Sequence, residues 1–303
     1  MLPTHHHPAD DSLPAAYAFS GQSGGAGKTQ GVVNLSVELS NRGYRVLVWD
    51  VDPQRSTTHL LGYQDPPPGS ATLFDVLTGD RKLEEAIVPA RYRIAPGPNN
   101  DAFRPIPNLD LVLGTPEMAD AEVTLGNDPA GILWLQNLID DDLPRSQWDA
   151  MLFDCGPTLG ILLLSVVLVA PDVIGCVNDE YKYVIGLTDL ENTLDKGRTK
   201  LRRLGFTARI RHILATNIPL DSKGNVDRTA GAITDDVIRT LRQHEEWGPR
   251  LLPLIRRSIR FKETIVRQRP LRFHAPTSPA LLDLAAVADA LGYPRRNSTR
   301  RQR

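Results

Sequence analysis

The sequence predicts an α/β fold: a mostly parallel, twisted sheet with helices on both faces. Three observations carry this. Strand-like runs alternate with helix-like runs along the chain. The first strand enters a glycine-rich loop that opens a helix. Two later apolar strands end in aspartate, which sets acids at the carboxyl edge of a parallel sheet, where ligands of such sheets sit. The 303 residues, 41% of them apolar, suffice for one large core.

The elements follow in order. Strands are expected near 15–20, 45–50, 110–113, 150–154, 173–177, 210–215 and 251–254. After the first comes Gly-Gln-Ser-Gly-Gly-Ala-Gly-Lys-Thr-Gln, residues 21–30. Gly24, Gly25 and Gly27 permit a tight turn whose N–H groups face an anion, with Ala26 between them. The helix beginning at Lys28 adds the positive end of its dipole. Lys28 suits terminal phosphates, and the Thr29 hydroxyl suits a magnesium ion. The strict phosphate-loop spacing fails, because Gln22 stands where the first glycine belongs. The second strand leads into Asp50-Val-Asp52-Pro-Gln, and the fourth into Asp154-Cys-Gly-Pro. Taken alone, the first is also a common turn starter and the second an ordinary turn cap. Beside a phosphate loop they read as chemistry.

These motifs together resemble the ParA-type partition ATPases, in the ParA/MinD group with a deviant Walker A loop. Further segments extend the resemblance: Ala71-Thr-Leu-Phe-Asp-Val-Leu-Thr-Gly, Glu180-Tyr181 with Gly186-Leu187, and Arg257-Ser-Ile-Arg260 with Gln268-Arg-Pro270. It covers about residues 15–291. It implies a P-loop NTPase fold, ATP and Mg2+ as cofactors, and slow ATP hydrolysis. Lys28 and Asp52 are the implied catalytic residues, Asp52 orienting the attacking water. Residues 24–30, including Gln30, would hold the nucleotide, Thr29 and Asp154 the metal, and Asn217 the adenine edge. The resemblance further implies non-specific DNA binding in the ATP state, stimulation by a ParB-like adaptor, a nucleotide-dependent homodimer, nucleoid association, and a plasmid or chromosome as cargo. One departure stands out. The group's loop begins with a lysine that reaches a dimer partner's phosphates, whereas this chain has Ser23. Arg55 or Lys182 is the candidate substitute, Arg55 favoured because a guanidinium suits phosphate. A weakly hydrolysing DNA-binding switch and a MinD-like positioning ATPase are the alternatives.

Composition bounds the rest. Residues 1–14 read as a disordered tail with His5–His7, 15–293 as a single ATPase domain, and 294–303 as a basic tail. The net charge is −1, but from Arg250 onward thirteen Lys or Arg face three acids, and residues 196–211 carry seven bases and no acid. These stretches are expected to form one basic face for phosphate backbones, with Arg202, Arg203, Arg257 and Arg260 as contacts. The two cysteines, Cys155 and Cys176, read as core residues in a cytoplasmic protein. The longest apolar run, 161–170, is about half what a membrane span needs. No signal peptide and no membrane partner are expected. The segment 95–107, with four prolines, is expected to be a rigid surface loop.

Overall fold

The computed structural model of the chain describes residues 13–22, 24–95, 102–144, 146–227 and 231–296. Ser23, most of the amino-terminal tail and residues 297–303 of the basic tail lie outside the described residues. Seven strands form one sheet: β1 (Ala15–Ser20), β2 (Val46–Asp50), β3 (Ile87–Ala95), β4 (Ala102–Val112), β5 (Ala150–Asp154), β6 (Asp172–Val177) and β7 (Arg209–Ala215). Their order is β3-β4-β2-β5-β1-β6-β7. Every pairing is parallel except β3 with β4. The α/β sheet expected from the sequence is therefore present.

The central strands are apolar because both faces are covered. β2 and β5 are buried at every position. Trp49 stacks on Phe153 between them, ring centroids 5.3 Å apart. The helix Lys28–Asn41 follows β1 and is buried over most of its length, since the helix Ala280–Ala290 packs on its outer side. Arg42 locks the two helices together. Its buried guanidinium donates to Glu38, Asp289 and the carbonyls of Ala285 and Tyr293. The helix Ala280–Ala290 thus packs chiefly on another helix.

Two expectations need correction. The proline-rich stretch 95–107 is not all loop: from Ala102 it belongs to β4, in an antiparallel pair with β3 that the apolar pattern concealed. Pro105 and Pro107 are tolerated because β2 pairs with β4 only over Leu109–Val112, so the proline half has a neighbour on one side. Conversely, residues 251–254 form no strand. Pro253 interrupts them, and the segment follows β7 through isolated bridges and bonds such as Leu252 N to Ile213 O.

Because β1, β2, β5, β6 and β7 run the same way, their carboxyl ends share one edge. At that edge the chain places loop 21–28, Asp50–Pro53, Asp154–Pro157, Asn178–Glu180 and Thr216–Asn217.

Candidate nucleotide site

The loop after β1 is built from backbone outward. Gly25 and Gly27 take φ of 87° and 83°, in the left-handed region that favours glycine. A Cβ on Gly27 would stand 2.1 Å from Thr216 Oγ1, so a side chain is excluded twice over. Three successive carbonyls are engaged from behind. Tyr183 Oη donates to Gly24 O at 2.8 Å, Asn178 Nδ2 to Gly25 O at 3.2 Å, and Thr216 Oγ1 to Ala26 O at 3.3 Å. In a trans peptide the N–H points opposite to its carbonyl. The N–H groups of Gly25, Ala26 and Gly27 are thereby turned away from these three side chains, as an anion nest requires. Lys28, buried, folds back over the loop, and its Nζ donates to Gly21 O at 3.0 Å.

Beneath the loop three carboxylates gather. Thr29 Oγ1 donates to Asp154 Oδ2 at 2.8 Å, and Thr57 Oγ1 donates to the same oxygen at 2.7 Å. Asp154 is fully buried, and among the described residues its Oδ1 has no hydrogen-bond partner. Burial pushes its carboxyl up to about 6, against the two hydroxyl donors, which pull it down. Asp50, the register partner of Asp154, is also fully buried. Its Oδ2 accepts from Thr58 N at 2.6 Å, while its Oδ1 is unpartnered. Burial first, and the charge of Asp154 second, hold it well above the usual carboxylate range. Asp52 is nearly buried and accepts from Gln54 N at 2.9 Å. It borders a cavity of about 340 Å³ with Pro53, Gln54, Glu122 and Cys155, which leaves room for a water beside it.

Buried carboxylate oxygens without donors, next to a threonine hydroxyl, are a donor set suited to a hard divalent cation. The residues present therefore fit Mg2+. Cys155 and Cys176 are buried and free, and burial raises both thiols, Cys176 to about 12, so neither is a ligand or nucleophile at neutral pH.

Beside the loop opens a larger cavity of about 550 Å³. Its lining includes Gly25, Gly27 and Gln30 from the loop and the helix after it, and Asn217, Arg257 and Phe261. Gln30 does not point at the loop. Its Nε2 donates to Phe261 O at 3.0 Å and Thr264 Oγ1 at 3.2 Å, tying the helix Ile259–Arg267 over the cavity. Asn217 has φ of 60° and donates from Nδ2 to Asp179 Oδ1 at 3.3 Å.

The four arginines expected on one basic face are not brought together. Arg257 lines the nucleotide-side cavity and pairs with Asp179, immediately before the helix Tyr181–Lys200. Arg202 and Arg203 follow the far end of that helix. Twenty residues of helix separate the two ends by about 30 Å. Arg260 is exposed and pairs with Glu263 at 2.9 Å. Arg55 pairs with Asp65 at 4.0 Å, and Lys182 with Glu180 at 2.9 Å.

Sequence reasoning missed Thr57, Asn178, Asp179, Tyr183 and Thr216. A signal existed for three of them: Asn178, Asp179 and Thr216 directly follow β6 or β7, at the sheet edge where ligands sit.

The AAA domain family matches residues 15–204. Among curated relatives, the chromosome partitioning protein ParA of Myxococcus xanthus is 31% identical over 178 residues, covering 58% of this chain and 56% of that protein. The sporulation initiation inhibitor protein Soj of Bacillus subtilis is 26% identical, covering 91% of this chain and 98% of Soj. Among solved structures, the ATP complex of a Cyanothece McdA variant superposes with a TM-score of 0.75 at 19% identity, covering 94% of this chain and 99% of that one. The Pyrococcus furiosus cell division ATPase MinD gives 0.63 at 23%, covering 92% and 98%. These structural likenesses concern the fold. Since the matched stretch spans the loop and both acid-bearing strands, the chain belongs to the AAA domain family, in its ParA-type partition ATPase group.

Proposed function

We propose that this protein binds Mg·ATP at the sheet edge, hydrolyses it slowly, and uses the cycle to segregate plasmid or chromosomal DNA. The observation that carries the reading is the convergence of the Thr29 and Thr57 hydroxyls on Asp154, directly below a loop three of whose successive carbonyls are held from behind. Thr29 and Asp154 would hold the ion, which when bound neutralises phosphate charge. Lys28 leaves Gly21 O for the terminal phosphates. Asp52, anchored through Gln54 N and facing open space, orients the attacking water. Asn217 reads the base.

Non-specific DNA binding in the ATP state, stimulation by a ParB-like adaptor and a nucleotide-dependent homodimer are parts of the same proposal, whose segregation role is supported by relatives named as chromosome partitioning proteins. Among the described residues no helix is long and apolar enough to cross a membrane. DNA would meet Arg202 and Arg203 without reading sequence. The departure at Ser23 keeps a weakly hydrolysing switch as the second reading.

Calorimetry with Mg·ATP, followed by phosphate release with DNA and a cognate adaptor, tests this. Binding that Lys28→Ala abolishes, with turnover that adaptor and DNA raise, is expected. No ATP affinity in the unmodified protein overturns the reading.

A further inference from the structure

Beside Asn217 and Arg257 in the lining of the large cavity lies a polar cluster that the proposed hydrolysis does not use. Asp179 receives three side-chain donors: Asn217 Nδ2 at 3.3 Å, Thr234 Oγ1 at 3.3 Å, and a guanidinium nitrogen of Arg257. Asn217 and Arg257 both line the cavity, while Asp179 is not among its lining residues. The Asp179 side chain is 12% exposed. It sits behind the residues that would meet a base.

An asparagine amide has two faces of opposite character: the NH2 donates and the oxygen accepts. An ionised carboxylate only accepts. Contact with Asp179 therefore permits one orientation of the Asn217 amide, with the NH2 toward the carboxylate. Among the described residues no donor reaches Asn217 Oδ1. The backbone reinforces this choice, because φ of 60° at Asn217 is a conformation that asparagine adopts more readily than most residues, and it fixes where the side chain starts.

We infer that Asp179 is a positioning residue for nucleobase choice: it turns Asn217 so that a carbonyl oxygen meets the ligand, which selects a purine bearing a 6-amino group over one bearing a 6-oxo group. A 6-amino group donates to that oxygen. A 6-oxo group sets two acceptors face to face and leaves both unpaired, which is disfavoured. Arg257 balances the charge of Asp179, so that the acid does not repel an anionic ligand. This inference rests on the nucleotide-binding reading above and names the feature of the nucleotide that the site recognises.

The test compares Mg·ATP with Mg·ITP, which carries the 6-oxo group, by calorimetry on the full chain. Wild type, Asp179→Asn, Asn217→Ala and the double variant are measured. Wild type is expected to prefer ATP by about tenfold, the scale of one partly exposed hydrogen bond and its mismatch. In Asp179→Asn the neighbouring amide can accept or donate, so Asn217 is free to turn and the preference falls toward unity, mainly through tighter ITP binding. Asn217→Ala also removes the preference, and the double variant changes it no further, because one residue acts through the other. Should Asp179→Asn fail to fold, Asp179→Ala carries the same expectation. No ATP binding by wild type overturns the nucleotide-binding reading itself. Equal binding of ATP and ITP by wild type, or a preference that persists in the Asp179 variants, or an equal loss of both nucleotides in those variants, overturns the role of Asp179 and leaves the nucleotide-binding reading standing.

Discussion

Asp50 and Asp154 are register partners at the carboxyl ends of β2 and β5, both fully buried, each with one oxygen that receives no hydrogen-bond donor among the described residues. Two carboxylates side by side in a dry site disfavour each other's charge. The arrangement costs stability in the absence of a cation and becomes favourable when one arrives, which is the trade expected of a binding site.

A pH dependence follows with a definite sign. Both carboxyls have folded-state values raised above the usual 3.8, Asp154 to about 6. The native state then holds protons that the unfolded state has released, so stability falls as pH rises through that window. Asp50→Asn removes one buried charge while keeping an acceptor for Thr58 N. The metal-free variant is expected to melt several degrees above wild type at pH 8 and about level with it at pH 4. Thermal melts across that range check this; an unchanged difference across pH contradicts it.

Gly27→Ala is expected to abolish nucleotide binding without unfolding the protein. Its φ of 83° is strained for alanine, and the new Cβ would fall 2.1 Å from Thr216 Oγ1. The loop must move, and the Ala26 carbonyl then loses its anchor. Calorimetry should show at least a hundredfold loss of ATP affinity with a cooperative melt retained.

Arg42→Ala should cost about 3 kcal/mol, because it removes donors to Asp289, Ala285 O and Tyr293 O and strips one partner from buried Glu38. The other partners of Glu38, Arg272 and, at 3.8 Å, Arg295, remain and limit the loss. Urea titration measures the stability. Limited proteolysis should cut first near the helix Ala280–Ala290, which this residue holds down.

Charge reversal at Arg202 and Arg203 should weaken DNA binding at all sequences alike and flatten its salt dependence by roughly one unit of slope per lost phosphate contact. ATP affinity should not change, since about 30 Å of helix separates these residues from the cavity. Arg257→Gln should do the reverse, lowering ATP affinity several-fold. Filter binding at two salt concentrations, alongside calorimetry, separates the two.

Arg55 follows the Asp-Pro-Gln turn with φ of 43° and makes a long 4.0 Å contact to exposed Asp65, so its guanidinium can be recruited by phosphate. Arg55→Ala is expected to lower ATP turnover at least tenfold with affinity nearly intact, and to shift ATP-bound protein toward monomer in sizing experiments. Turnover equal to wild type would remove Arg55 as the substitute for the missing loop lysine.

Much of this was legible along the chain because it is local. Apolar runs ending in acid mark β2 and β5, and the spacing of Gly24, Gly25 and Gly27 before Lys28 marks a loop meant for anions. The β3–β4 pair was not legible. Its partners are joined across a proline-rich stretch, and pairing is a property of two segments, not of one. The strand expected at 251–254 failed for a related reason: its composition suits a strand, but Pro253 cannot donate to a ladder.

The sequence by itself determined the fold class, the glycine-rich loop and the identity of the acids beneath it, since each depends on residues adjacent in the chain. Tertiary structure decided which side chains hold that loop from behind, where Arg257 and Arg202 lie relative to one another, and that Asp179 meets Asn217. Asp179 and Asn217 stand thirty-eight positions apart, joined only because β6 and β7 end at one edge. Hydrogen bonds form between atoms within about 3 Å, and distance along a chain does not report distance in space until the strands have paired.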